Sequence, residues 1–274
     1  MLQAPPENEY DLRFDLMGFP VRISWTFWLG AIVFGHGLAQ NLDRYFDELS
    51  PGILPLLLLW VVSLLVSILI HELGHALAFR QYGIHSSIVL YHFGGLAIPS
   101  GSYMPGQSVR RLGPKQDLWV SAAGPLLQLL SAALLIAVFK FSGYEIDAFR
   151  WMPEFLLSVT DKATESMNLP GMLDGNPVDS VGLYALLVCY LLPSIMWAFL
   201  NLVPVWPLDG GHISRSLFLI FGGTITQSLW VSVIAGGALA LYAGKSEQWM
   251  MALFFGMFAF SSYQLLQQQS HWRY

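Results

Sequence analysis

Two histidines four residues apart, with a glutamate directly after the first, mark where this chain is best equipped for chemistry: Ile70-His71-Glu72-Leu73-Gly74-His75. On a helix, positions i and i+4 share a face, so His71 and His75 can present two imidazoles to one metal ion. Glu72 lies about a hundred degrees round the helix from His71, within reach of a metal-bound water. Two imidazoles and one further ligand make an open zinc site whose fourth position takes water. Such a metal lowers the water's pKa towards about 7, and an adjacent carboxylate takes the proton as the water attacks a carbonyl. The residue types therefore point to peptide hydrolysis. Two histidines and a glutamate at the end of an apolar run are costly in lipid unless they are used.

The elements that must hold these groups are apolar helices. In 274 residues, 55% are hydrophobic, 11% are charged, and 14% are aromatic. That balance excludes an ordinary soluble enzyme and a disordered tail, and it defines a polytopic α-helical membrane protein. The formal net charge is −5 and no basic cluster stands out, so nucleic acid is not an expected partner. The single cysteine, Cys189, excludes an intramolecular disulfide framework. Residues 1–22 are polar and acidic, unlike a cleavable signal peptide, which leaves insertion to the first hydrophobic span.

The pattern predicts about six transmembrane helices, over 23–39, 53–79, 118–139, 181–203, 226–243 and 247–266, with a half-helix over 213–222. Ser50-Pro51-Gly52 signals the start of the second. At 1.5 Å per residue the motif lies about 27 Å along it, near one edge of a hydrocarbon core about 30 Å thick. Residues 84–106 are too short and too rich in Gly and Pro to span. They read as a re-entrant β-hairpin-like element around Phe93-Gly94-Gly95, next to the active site. Ala122-Ala123-Gly124-Pro125 offers small residues for close helix contact and a kinking proline. Residues 140–180 are the most polar stretch and read as an extramembrane loop. His36, His85 and His92 read as packed or ordinary loop histidines.

With a cytoplasmic N-terminus, eight basic residues collect inside (Arg13, Arg22, Arg80, Arg110, Arg111, Lys115, Arg215, Arg273) against five outside. This bias predicts a cytoplasmic N-terminus and an active site towards the cytoplasm. A third ligand has few candidates within apolar sequence. Asp209 is the foremost, because alternating spans return the end of the fourth to the same side as the end of the second. An aspartate in a proline-rich turn is otherwise a cap or turn residue.

His71-Glu72-Leu73-Gly74-His75, followed by Asn201-x-x-Pro204-x-x-Pro207-Leu208-Asp209-Gly210, resembles the site-2 protease family of intramembrane zinc metalloproteases. Phe93-Gly94-Gly95 and Ala123-Gly124-Pro125 resemble that family's intervening elements, so the resemblance covers roughly residues 53–215. It implies one zinc ion per chain held by His71, His75 and Asp209, with Glu72 activating the water. It also implies a role for Asn201 in binding substrate or steadying the transition state. Phe93, Gly94 and Gly95, with Leu96, would belong to a β element that pairs with an unwound substrate strand. The implied partner is a single-pass transmembrane substrate within membrane lipid, in a bacterial or archaeal cell membrane.

Two departures stand out. Gln128 occupies a position where the family often has asparagine, three residues after its Gly-Pro. Residues 1–274 read as one membrane-embedded domain, with no stretch patterned like a PDZ domain or a paired nucleotide-sensing CBS domain. Other readings of the motif are a membrane-anchored zinc peptidase acting on soluble chains, a metal-binding transporter, and a catalytically silent homologue that binds membrane helices. The first would be expected to add a soluble domain and a later glutamate ligand. The second would add more intramembrane acids or histidines, and the third would have lost Glu72 or a ligand.

Overall fold

The long run of Leu, Ile and Val before His71 carries its one proline, Pro55, in the first turn, where it is tolerated, and the run is met by a continuous helix. In a computed structural model describing residues 5–92, 94–99, 112–151, 172 and 174–271, that helix is α2, Ile53–Gln81. The other helices among the described residues are α1 (Trp25–Phe46), α3 (Pro114–Phe141), α4 (Val181–Leu202), α5 (Asp209–Ile220), α6 (Ile225–Lys245) and α7 (Trp249–His271). Pro114 opens α3, where a missing N–H costs nothing, and the Gln116 side chain accepts from the Gly113 amide at 3.0 Å. Ser180 and Thr224 cap α4 and α6.

Five of these helices, α2, α3, α4, α6 and α7, are long and apolar enough to cross a membrane, and the chain is an integral membrane protein. The first of the six expected spans, α1, is long enough but carries His36, Gln40, Asn41, Asp43 and Arg44, which lower its hydropathy. The expected half-helix begins earlier, at Asp209.

α2 has two unlike faces. Leu54, Leu58, Val62 and Val66, each four residues on, are exposed and form an apolar stripe suited to lipid. Ser63, Ser67, His71 and His75, with the same period, are buried. The inward stripe packs against α1, α3 and α4, which makes α2 the central helix of the bundle. α3 matches it with an exposed stripe of Leu126, Leu130, Leu134 and Val138. At the α2–α3 crossing, a Cβ on Gly74 would collide with the backbone of Ala123 and Gly124, so the helices meet almost backbone to backbone.

A four-stranded sheet, in the order β1-β2-β3-β4, closes one side. β3 (Ser86–Tyr91) and β4 (Gly94–Pro99) form the expected hairpin, paired in register from Tyr91 with Gly94 to Ser86 with Pro99. β1 (Leu12–Leu16) and β2 (Phe19–Ile23) form an N-terminal hairpin in a stretch read from sequence only as polar. Its two-residue turn, Met17-Gly18, has positive φ at both positions (52° and 82°), as a type I′ turn requires. β2 lies parallel to β3, with Val21 beside Ile88, so α1 and α2 together form the crossover between them. Most of the expected loop at 140–180 lies outside the described residues. Its described part includes the end of α3, to Phe141, and a 3₁₀ turn, Ala148–Trp151.

Asp11 ties the N-terminal segment to this frame. Its carboxylate accepts from the Asn8 amide (3.1 Å), Arg22 (2.9 Å) and the Trp25 amide (3.3 Å). Burial alone would raise the Asp11 carboxyl, but these bonds outweigh it and hold the group below the ordinary carboxylate value. A depressed folded pKa gives stability that is present above the unfolded value and lost as pH falls through the folded one. Amide hydrogen exchange of residues 8–25 should therefore accelerate as pH is lowered below about 4, after correction for intrinsic exchange. An Asp11→Asn variant should show that acceleration much reduced.

Candidate metal centre

His71 and His75 stand on the buried face of α2, one turn apart, and Asp209 is the first residue of α5. What brings Asp209 to them is the tight return after α4. A Cβ on Gly210 would overlap the carbonyls of Leu202 and Val203, and one on Gly211 would meet the backbone of Val205 and Trp206. The paired glycines let the first turn of α5 tuck against the chain that precedes it, and this helix start favours an anion.

The three side chains converge. His71 Nε2 lies 3.2 Å from His75 Nε2 and 3.1 Å from Asp209 Oδ2, while His75 Nε2 lies 3.4 Å from Asp209 Oδ1. Ligands about 2.0–2.1 Å from a tetrahedral zinc stand about 3.3–3.4 Å apart, so the triangle has the size of one tetrahedral face. The outer ring nitrogens are also settled. His75 Nδ1 is 2.7 Å from the Val120 carbonyl, which can only accept, so Nδ1 carries the proton. His71 Nδ1 donates to Gln128 Oε1 at 2.9 Å, and the Gln128 amide nitrogen donates to Ser67 Oγ at 2.8 Å. Rings held this way would, when neutral, aim two Nε2 lone pairs at one point beside a carboxylate. This donor set and spacing fit a zinc ion.

α3 supports His75 through a glycine. Gly124 lies one turn beyond Val120, and a Cβ there would strike the His75 ring. Without a side chain at 124, the imidazole reaches the Val120 carbonyl on the helix backbone.

Glu72 is 4% exposed and lines a cavity of about 260 Å³ together with His71, His75 and Asp209. Its carboxylate accepts from the Ala97 amide on β4. β4 comes this close because residue 95 is glycine: a Cβ there would overlap the Glu72 carboxyl group. Gly94, with φ +123°, starts the strand beneath the Trp197 ring, and Phe93 lies outside the described residues. Asn201 lines the cavity from the last turn of α4, its amide donating to the Trp197 carbonyl at 3.1 Å. Apolar side chains of α7, Phe254 and Phe258 among them, close another side.

Among the lining residues that the sequence does not single out are a histidine and an aspartate. His212 lies three residues after Asp209, with its ring 4.2 Å centroid to centroid from Trp206. The i, i+3 spacing from a candidate ligand was the available signal. Asp117, in the first turn of α3, also lines the cavity and accepts from Ser216 Oγ at 2.9 Å.

A membrane bundle with a His-His-Asp triangle and a glutamate beside it has counterparts among known proteins. The family model "Peptidase family M50" matches residues 59–243, and the chain belongs to that family, the site-2 proteases. It is 24% identical over 234 residues to a zinc metalloprotease of Methanocaldococcus jannaschii, covering 85% of this chain and 52% of that protein. It is 28% identical over 240 residues to a putative zinc metalloprotease of Synechocystis, covering 84% and 51%. The chain thus spans about half the length of these curated relatives. The solved site-2 protease from Methanocaldococcus jannaschii shares the fold with a TM-score of 0.50 at 24% identity, covering 92% of this chain and 95% of that one.

Gly95→Val should displace the Glu72 carboxylate while keeping the fold. In a peptidase assay, a loss of about a hundredfold is expected from a displacement of about 1 Å, with an unchanged melting temperature in detergent.

Proposed function

We propose that this chain is an intramembrane zinc metalloprotease that hydrolyses peptide bonds in or near the transmembrane segment of membrane-protein substrates. The observation that carries this reading is the triangle of His71, His75 and Asp209, with both Nδ1 protons already engaged and Glu72 in the same cavity. The names of the relatives, zinc metalloproteases, support it.

In this reading His71, His75 and Asp209 hold one zinc ion per chain, which when bound supplies a Lewis acid that polarises a carbonyl and acidifies water. Glu72 takes the proton of the attacking water and returns it to the departing amine. Its hydrogen bond from the Ala97 amide helps to hold the carboxylate in place. The cavity is walled by apolar side chains, which limit water near the scissile bond and strengthen the polar interactions inside.

A helical substrate presents peptide bonds already hydrogen-bonded within the helix, so it must unwind before it is cut. Among the described residues β4 is the last strand of the sheet, and Gly95 and Ala97 line the cavity beside Glu72. An unwound segment laid along that edge would regain backbone hydrogen bonds as a fifth strand. Asn201, across the cavity, offers an amide to the same segment. The partner is a single-pass transmembrane protein reached through membrane lipid. The N-terminus and the active site face the cytoplasm of a bacterial or archaeal cell in this proposal, following the eight-to-five bias in basic residues. Retention of Glu72 and all three ligands distinguishes the reading from a silent helix-binding homologue.

The test is metal content of detergent-purified protein together with cleavage of model single-pass helices. Expected are about one zinc per chain, loss of most of it in Asp209→Ala, and full retention in Glu72→Gln. The latter variant should cleave about a thousandfold more slowly. A metal-free wild-type protein, or full cleavage by Glu72→Gln, would overturn the assignment.

A further inference from the structure

The departure at position 128 is explained by where that side chain goes. Gln128 is fully buried on α3, facing the inward stripe of α2. Its carbonyl oxygen accepts from His71 Nδ1 at 2.9 Å and its amide nitrogen donates to Ser67 Oγ at 2.8 Å. Ser67 is fully buried one turn before His71 and also accepts from Ser194 Oγ of α4 at 2.8 Å. The relay therefore runs α4 to α2 to α3 and back to α2, ending on the imidazole. Every donor along it is neutral, and the three bonds are 2.8 or 2.9 Å long.

We propose that Gln128, held in orientation by Ser67 and Ser194, is a positioning residue that fixes the tautomer and ring plane of His71 for metal binding. An amide has one accepting and two donating sites, so its orientation decides what it offers a histidine. Here Ser67 Oγ accepts from the nitrogen end, and the oxygen end faces His71. With Nδ1–H committed to that oxygen, the Nε2 lone pair is the one aimed at Asp209 and His75. Were the amide reversed, its N–H groups would face Nδ1, the proton would move to Nε2, and the ring would lose its capacity to bind a cation there. The length of the side chain matters too. Asparagine is shorter by one carbon–carbon bond of about 1.5 Å, too short to span both partners from the same α3 position.

This inference rests on the proposed metal role of His71, and the experiment separates the two. Zinc dissociation constants are measured by chelator competition on the full chain in detergent for wild type, Gln128→Leu, Gln128→Glu and Ser67→Ala, with melting temperatures of the zinc-free proteins alongside. Gln128→Leu removes the acceptor at similar size and should weaken zinc binding about 10- to 100-fold. Gln128→Glu keeps an oxygen towards His71 and should restore affinity to within about threefold of wild type. Ser67→Ala, a milder change that leaves the fold least disturbed, should weaken zinc binding several-fold in the same direction.

A purely structural glutamine predicts the opposite pattern: lowered melting temperatures and unchanged zinc affinity in Gln128→Leu and Ser67→Ala. That pattern overturns the proposal. If Gln128→Leu fails to fold, Ser67→Ala and Gln128→Glu decide it alone: weakening in the first with retention in the second supports it, and any other pattern overturns it. A wild-type protein that binds no zinc defeats the underlying metal assignment instead, and is recognised because His71→Ala then changes nothing.

Discussion

Three hydrogen-bond acceptors do not gather in an apolar interior without a reason. Two Nε2 lone pairs and a carboxylate held 3.1–3.4 Å apart repel one another unless positive charge lies among them. Much of this bundle is arranged to hold that costly triangle in place. The Val120 carbonyl and the Gln128 amide lock the two rings from behind, and the glycine pair at 210–211 brings the carboxylate in from another helix. Each support is a backbone group, a buried amide or a missing side chain, none of which adds a net charge to the interior.

The same economy governs the helices that carry the site. α2 separates its duties by face, with leucines and valines towards lipid and serines and histidines towards the bundle. Close approach of α3 at Gly74 and Gly124 replaces the bulky interdigitation of a soluble core, because lipid offers helices no hydrophobic reason to associate. Van der Waals contact between backbones and a handful of buried hydrogen bonds hold α2 and α3 together. Glycine thus serves twice at this crossing: it brings the helices together, and it leaves the Val120 carbonyl open to His75.

Much of this was legible before any coordinates. The period-four spacing of His71 and His75 survives as geometry because a long apolar run has only one way to satisfy its backbone in lipid. Counting crossings points to Asp209, since a residue far along the chain must return to the same side to meet His71 and His75. The β3–β4 hairpin was visible from its glycines and its insufficient length. The N-terminal hairpin was missed because Arg13 and Asp15 alternate with Leu12, Phe14 and Leu16, and charge was weighed above the period-two pattern. His212 and Asp117 were missed because cavity lining depends on helix rotation, which spacing alone does not supply. Gln128 was noticed as a departure, but its partner His71 lies 57 residues away, and only packing could join them.

The parallel pairing of β2 with β3 bears on how the molecule is made. Parallel neighbours cannot be joined by a turn, and here the connection is a pair of helices, α1 and α2. During synthesis β2 emerges first and must wait for both helices before its partner exists, so the sheet beside Glu72 closes only after α2 has formed. Asp209 comes later still, after α3 and α4. In a nascent chain the two histidines therefore precede Asp209 by more than a hundred residues, and the three cannot meet until that stretch has been made. The order of strands and helices thus lets the three side chains meet only once α4 has brought the chain back, with α6 and α7 still to follow.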